Sequence, residues 1–156
     1  MHELVLLRHA EAEIDSLGVG DISRPLSERG RLAAQAAGRW LAGHRIAPMR
    51  VLCSPATRTR ETLALVQPHL AAAEVIIAPE IYEATPGELL ALLDNHLTAA
   101  TVLLVGHNPG LERLMALLLE GRSDEFRGMP TAGIAVLHLD QALEPASAQL
   151  NAFWSP

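Results

Sequence analysis

Two arginines and two histidines carry the chemistry that can be read from this sequence, and each follows a short apolar run. Leu4-Val5-Leu6-Leu7 leads into Arg8-His9-Ala10-Glu11. Arg50-Val51-Leu52-Cys53 leads into Ser54-Pro55-Ala56-Thr57-Arg58, and Val102-Leu103-Leu104-Val105 into Gly106-His107-Asn108-Pro109. Guanidinium forks match the oxygens of a phosphoryl group and hold it bidentately. A neutral imidazole can attack phosphorus, and a second imidazole, if protonated, can stabilise the equatorial oxygens. A lone histidine at a strand end is more often a structural hydrogen-bonder. Convergence of three distant segments makes coincidence a weaker account. Together they describe an anion pocket containing a nucleophile, which calls for no metal and no cofactor.

These groups meet only if the runs before them are neighbouring strands. Strands are expected at 3–7, 50–53, 74–78, 101–105 and 133–139, with a weaker candidate at 147–154. Helices are expected at 27–45, 55–71, 86–97 and 109–120. Runs apolar at every position suit strands covered on both faces, and their alternation with helical segments predicts α/β architecture. The expected fold is one α/β/α sandwich domain over 1–156, with a mostly parallel sheet and an antiparallel C-terminal strand or hairpin. In open sheets of this kind, ligands bind at the carboxyl ends of the strands. Ser54-Pro55, Thr85-Pro86 and Asn108-Pro109 read as helix caps followed by proline, and Thr85 with Glu88 fits a capping box. The first helix should face the sheet through Ala33, Ala36, Ala37, Trp40 and Leu41, and Gly121 should end the fourth. The longest loops are expected at about 10–22 and 122–132.

Composition removes several function classes. The 156 residues are 49% hydrophobic and 19% charged, as expected of a soluble globular chain. The net charge is -6 and the 12 basic residues are all arginine, a poor match to nucleic-acid binding. The single cysteine, Cys53, allows no internal disulfide and no cysteine-rich metal site. Nothing resembles a signal peptide or approaches the roughly 20 apolar residues of a membrane span. The expectation is a cytoplasmic monomer that touches neither membrane nor nucleic acid. Cys53 also fails as a cysteine-phosphatase nucleophile, because Arg58 and Arg60 flank Thr59, the position where that loop needs its arginine.

The segments 6–10, 54–62 and 105–108, together with Asp21-Ile22-Ser23-Arg24-Pro25-Leu26-Ser27-Glu28-Arg29-Gly30, resemble the histidine phosphatase superfamily, which has the phosphoglycerate mutase-like fold. The short chain is similar to its SixA-type phosphohistidine phosphatases. The resemblance covers roughly residues 3–120 in the right order. It implies that His9 is the nucleophile that carries the phosphoryl group transiently. Arg8 and Arg58 would clamp the phosphate and His107 would be the second imidazole. Arg24 is weighed equally as a phosphate contact and as a surface arginine before a turn proline. Glu83 sits where ester-cleaving relatives keep a general acid, against the alternative of an exposed loop carboxylate before the Thr85 cap.

Two departures bear on the expectation. Ala10 stands where the family usually has glycine. The chain also lacks the long insertion that roofs the pocket in the mutase branch, with only about twenty residues, 79–98, in that region. An open pocket favours a bulky substrate, so the expected partner is a phosphohistidine-bearing protein. A phosphatase of small phosphate esters and a non-catalytic phosphate-recognition module remain as alternatives.

Overall fold

The computed structural model describes residues 1–124, 128–140 and 142–156, so 125–127 of the expected 122–132 loop lie outside the described residues. The elements in chain order are β1 (Glu3–Arg8), α1 (Glu28–Gly43), β2 (Arg50–Cys53), α2 (Thr57–Val66), β3 (Glu74–Ile77), α3 (Pro86–Asp94), β4 (Thr101–Gly106), α4 (Gly110–Glu120), β5 (Ile134–Leu139) and β6 (Ala148–Trp154). Short 3-10 turns cover Asp21–Ser23, Gln67–His69 and Pro79–Ile81.

The strands form one sheet in the order β3-β2-β4-β1-β5-β6. Its first four strands are parallel, whereas β5 pairs antiparallel with β1 and β6 antiparallel with β5. This is the mixed sheet with a C-terminal hairpin that the sequence predicts.

Strand side chains alternate between faces, so each apolar run feeds two cores. Leu4, Leu6, Leu52, Val102 and Leu104 pack with Leu89 and Leu93 of α3 and Leu111, Leu114 and Leu118 of α4. Val5, Leu7, Val51, Cys53, Leu103 and Val105 pack on the other face with Ala37 and Leu41 of α1 and Leu63 and Val66 of α2. Every one of these side chains is buried. Truncating a leucine such as Leu104 to alanine would cost about 2–5 kcal/mol.

Two of the proline-marked helix starts depart from the sequence reading. Thr85 caps α3 with the complete capping box, and Gly121 closes α4 in a left-handed conformation at φ 75°. Helix α2, however, begins at Thr57 after Ala56, and its cap makes no side-chain hydrogen bond. Helix α4 begins at Gly110 after Pro109, one residue later than expected. In both cases the expected capping side chain is engaged elsewhere, Ser54 with His107 and Asn108 with the Met129 carbonyl. The buried stripe of α1 is Gly30, Ala34, Ala37, Gly38 and Leu41. Ala33, Ala36 and Trp40 lie half-buried at its margin, so the face is turned from the expected one toward the two glycines.

Candidate active site

Strand register places the site. Arg8 at the end of β1 pairs with Gly106 at the end of β4, and Cys53 at the end of β2 pairs with Val105. The His9 N–H donates to the Gly106 carbonyl at 3.0 Å, and the Ser54 N–H donates to the Val105 carbonyl at 3.1 Å. Three adjacent parallel strands therefore end at one level and deliver His9, Ser54 and His107 side by side.

The two imidazoles lie 5.3 Å apart between ring centres, tilted by 53°. His9 is 8% exposed, and its Nδ1 lies 2.7 Å from the Ala10 carbonyl. A carbonyl can only accept, so Nδ1 carries the proton and Nε2 keeps the lone pair that nucleophilic attack requires. Burial, opposed by that hydrogen bond and assisted by Arg58, Arg8 and Arg24, pulls the His9 pKa down to about 4. Burial, then Arg58 and His9, pulls His107 down to about 3. Both shifts favour the neutral form of the ring at physiological pH.

The turn after β1 is held by α2. The Ala10 N–H donates to Thr62 Oγ1 at 3.0 Å, and that hydroxyl donates to the Arg58 carbonyl at 2.7 Å. Ala10 itself is fully buried and packs against Leu26, Ala34 and Ala132. It is not among the residues with positive φ, so nothing in its backbone demands glycine. Its methyl group fills a small apolar pocket instead.

Arg58 is 6% exposed. It donates through Nη1 to the Asp21 carbonyl at 2.8 Å and through Nη2 to Asp21 Oδ2 at 3.0 Å. The same carboxylate accepts from Tyr82 Oη at 2.6 Å and from Arg24 Nη1 at 3.0 Å. Tyr82, with Arg24 and Arg58, holds Asp21 far below the usual carboxylate range. Arg24 is thereby drawn to the site, and its charge reaches His9. The Tyr82 and His107 rings also meet edge to face, with centres 5.6 Å apart.

Arg58, His107, Asp21, Tyr82 and Glu83 line one cleft of about 390 Å³. Glu83 is exposed on its rim and takes a left-handed backbone at φ 58°. Arg8 is placed differently from Arg58. Its Nη1 donates to the Met129 carbonyl at 2.8 Å, and the residue lines a neighbouring cleft with Asn108 and Glu112. Its charge nonetheless acts on both imidazoles. Arg8 Nε, Arg58 Nε and His107 Nδ1 are buried without a hydrogen-bond partner among the described residues. Unpaired buried polar groups of this kind cost about 1–3 kcal/mol each, so a site rich in them favours an incoming oxyanion.

Sequence reasoning missed Asp21, Tyr82, Ser54 and Thr62. Asp21 stood inside the segment 21–30 from which only Arg24 was singled out. Among the described residues, no group of three or more His, Cys, Asp or Glu is arranged to hold a metal ion. None of the described helices is long and apolar enough to cross a membrane.

Fold and site together define an α/β protein whose strand ends gather two imidazoles and a buried guanidinium, a set suited to an oxyanion. Residues 4–95 match the histidine phosphatase superfamily (branch 1), and the chain belongs to that superfamily. An uncharacterized protein of Mycobacterium tuberculosis is 36% identical over 168 aligned positions, covering 96% of this chain and 99% of that protein. The phosphohistidine phosphatase SixA of Escherichia coli is 31% identical over 149 positions, covering 90% of this chain and 87% of SixA. A solved structure of a provisionally assigned phosphohistidine phosphatase SixA from Agrobacterium tumefaciens superposes with a TM-score of 0.88 at 28% identity, over 99% of this chain and 98% of that one.

Proposed function

We propose that this chain hydrolyses the phosphoryl group of protein-borne phosphohistidine through a transient phosphohistidine on His9. In the first step His9 Nε2 attacks phosphorus and the bond from phosphorus to the substrate nitrogen breaks. Its electron pair returns to the substrate ring. The Nδ1–H of His9 stays on the Ala10 carbonyl, which steadies the positive charge that the ring acquires. In the second step water adds to phosphorus, the pair returns to His9, and dihydrogen phosphate leaves with both water protons. Arg58 holds the phosphoryl oxygens, with Arg8 and Arg24 adding charge from either side, and a His107 N–H donates to an equatorial oxygen.

The observation that carries this reading is the neutral, oriented His9 beside His107 and the buried guanidinium of Arg58. The likeness to Escherichia coli SixA over 90% of the chain supports phosphohistidine as the substrate. So does the exposure of Ile14 at 80% and Leu17 at 86%, on the same loop as Asp21, which suits a macromolecular partner better than a small ester. Glu83 on the rim of the cleft favours a second reading, in which it protonates the leaving oxygen of a small phosphate ester.

The test is a single-turnover assay of wild type and His9→Ala, on a phosphohistidine-bearing protein domain and on an aryl phosphate. Alkaline quenching preserves phosphohistidine. Label on wild-type His9, faster turnover of the phosphohistidine substrate, and no turnover by a folded His9→Ala variant are expected. Faster ester turnover moves the assignment to the second reading. Unchanged turnover in His9→Ala refutes the mechanism.

A further inference from the structure

The Arg58 guanidinium is already bound by a negative charge from its own chain. Asp21 Oδ2 accepts from Arg58 Nη2 at 3.0 Å and from Tyr82 Oη at 2.6 Å, while Oδ1 accepts from Arg24 Nη1 at 3.0 Å. The Asp21 side chain is nonetheless 50% exposed and lines the cleft with His107. A carboxylate oxygen has room for more than these donors, so Asp21 can accept a further hydrogen bond from a group entering the cleft.

This arrangement has a consequence for charge. A phosphoryl dianion bound by Arg58 shares one guanidinium with the Asp21 carboxylate, so two anionic groups lie within a few ångströms. Like charges at that separation disfavour binding. A phosphate ester brings only negative charge to this place. A phosphohistidine differs, because its second ring nitrogen can hold a proton near neutral pH, as imidazoles do. That N–H lies one ring away from the phosphorus.

We infer that Asp21 selects the leaving group, accepting the second ring N–H of a substrate phosphohistidine and disfavouring esters that offer no such positive charge. The inference rests on the phosphohistidine reading above and names the residue that enforces it. In the transfer step, the bond between phosphorus and the substrate nitrogen breaks as the bond to His9 Nε2 forms. The electron pair goes to the substrate ring, which departs neutral with its proton still on the second nitrogen, facing Asp21. No proton has to be delivered to the leaving atom, so the step proceeds without Glu83. Arg24 and Tyr82 are positioning residues here, since they keep the Asp21 carboxylate on the cleft wall.

The experiment compares wild type, Asp21→Asn and Asp21→Glu by kcat/KM on a phosphohistidine-bearing protein domain and on an aryl phosphate ester. Asp21→Asn keeps the shape and removes the charge. It is expected to lower the ratio of phosphohistidine to ester turnover by about tenfold, a value kept modest because half-exposed charge pairs are screened by solvent. The phosphohistidine arm should fall further than the ester arm. Asp21→Glu restores the charge and should return the ratio toward wild type. If Asp21→Asn changes both substrates by the same factor, Asp21 only positions Arg58 and the inference is overturned, as it is by a raised ratio. Failure of wild type to turn over phosphohistidine at all would sink the underlying reading and this inference with it. Wild-type turnover with an unmoved ratio sinks this inference alone.

Discussion

Ser54→Ala tests whether the second imidazole works by orientation. Ser54 is fully buried, and its backbone is fixed to β4 by the 3.1 Å hydrogen bond to Val105. Its carbonyl accepts from Thr59 Oγ1 at 2.9 Å, and its hydroxyl lies 2.7 Å from His107 Nε2. The substitution removes that hydroxyl, which also accepts from the Ala56 N–H at 3.3 Å, while the hydrogen bonds of the Ser54 backbone remain. One ring nitrogen of His107 then loses its partner in a half-buried place, which should destabilise the protein by about 1–2 kcal/mol. For a chain of this size that lowers Tm by roughly 3–6 °C. His107 remains present, but its ring keeps only the contacts with the Tyr82 and His9 rings among those described and its own rotamer preference. Misorienting a transition-state donor costs about ten- to a hundredfold in rate. Rapid-quench measurement of label transfer to His9 should therefore show kcat reduced by that factor with KM within about threefold, because Arg58 still binds the phosphoryl group. A variant that loses the expected Tm yet transfers label at the wild-type rate would refute the reasoning.

Two further outcomes follow from the same geometry. Arg58→Ala removes a buried guanidinium and leaves Asp21 to Arg24 and Tyr82, so KM for either substrate should rise by at least about thirtyfold, as measured by steady-state kinetics. Acid should destabilise the fold in a defined window. The His9 and His107 pKa values fall from 6.5 to about 4 and about 3 in the folded chain, so below pH 6.5 the unfolded chain binds more protons. Stability is then complete above about 6.5 and declines as pH drops toward 3. Urea unfolding of wild type and a His9→Asn, His107→Asn double variant across that range should show a shallower acid decline in the variant. Parallel curves would show that the two rings do not carry the effect.

The fold was legible because the strands announce themselves. Val102-Leu103-Leu104-Val105 has no polar face, and a short β-branched run of this kind suits a strand between two helix layers. The hairpin of β5 and β6 was legible from two strand-like runs with no helix between them. The helix starts were less so, for a reason that bears on function. Ser54 and Asn108 are good capping residues by type, yet their side chains are drawn to His107 and to the Met129 carbonyl. A local rule failed where a tertiary contact at the site outbid it. The stripe of α1 was displaced because Gly30 and Gly38 were not counted as core. A Cβ at Gly30 would run into the Glu11 carbonyl, so this face is set by close backbone approach and not by apolar bulk.

The site separates along the same line. Arg8, His9, Arg58 and His107 could be singled out in the sequence because each lies within a few residues of a strand end, and register brings the ends of β1, β2 and β4 together. Asp21 and Tyr82 belong to loops, and their contacts span 37 residues to Arg58 and 61 residues to one another. No periodicity predicts where a loop of that kind returns. His9 and His107 are therefore placed by the sheet, while the Asp21 carboxylate beside Arg58 is supplied by the segment between β1 and α1. In a family that reuses one phosphoryl pocket, changes in that loop can alter what is cleaved without disturbing how phosphorus is attacked.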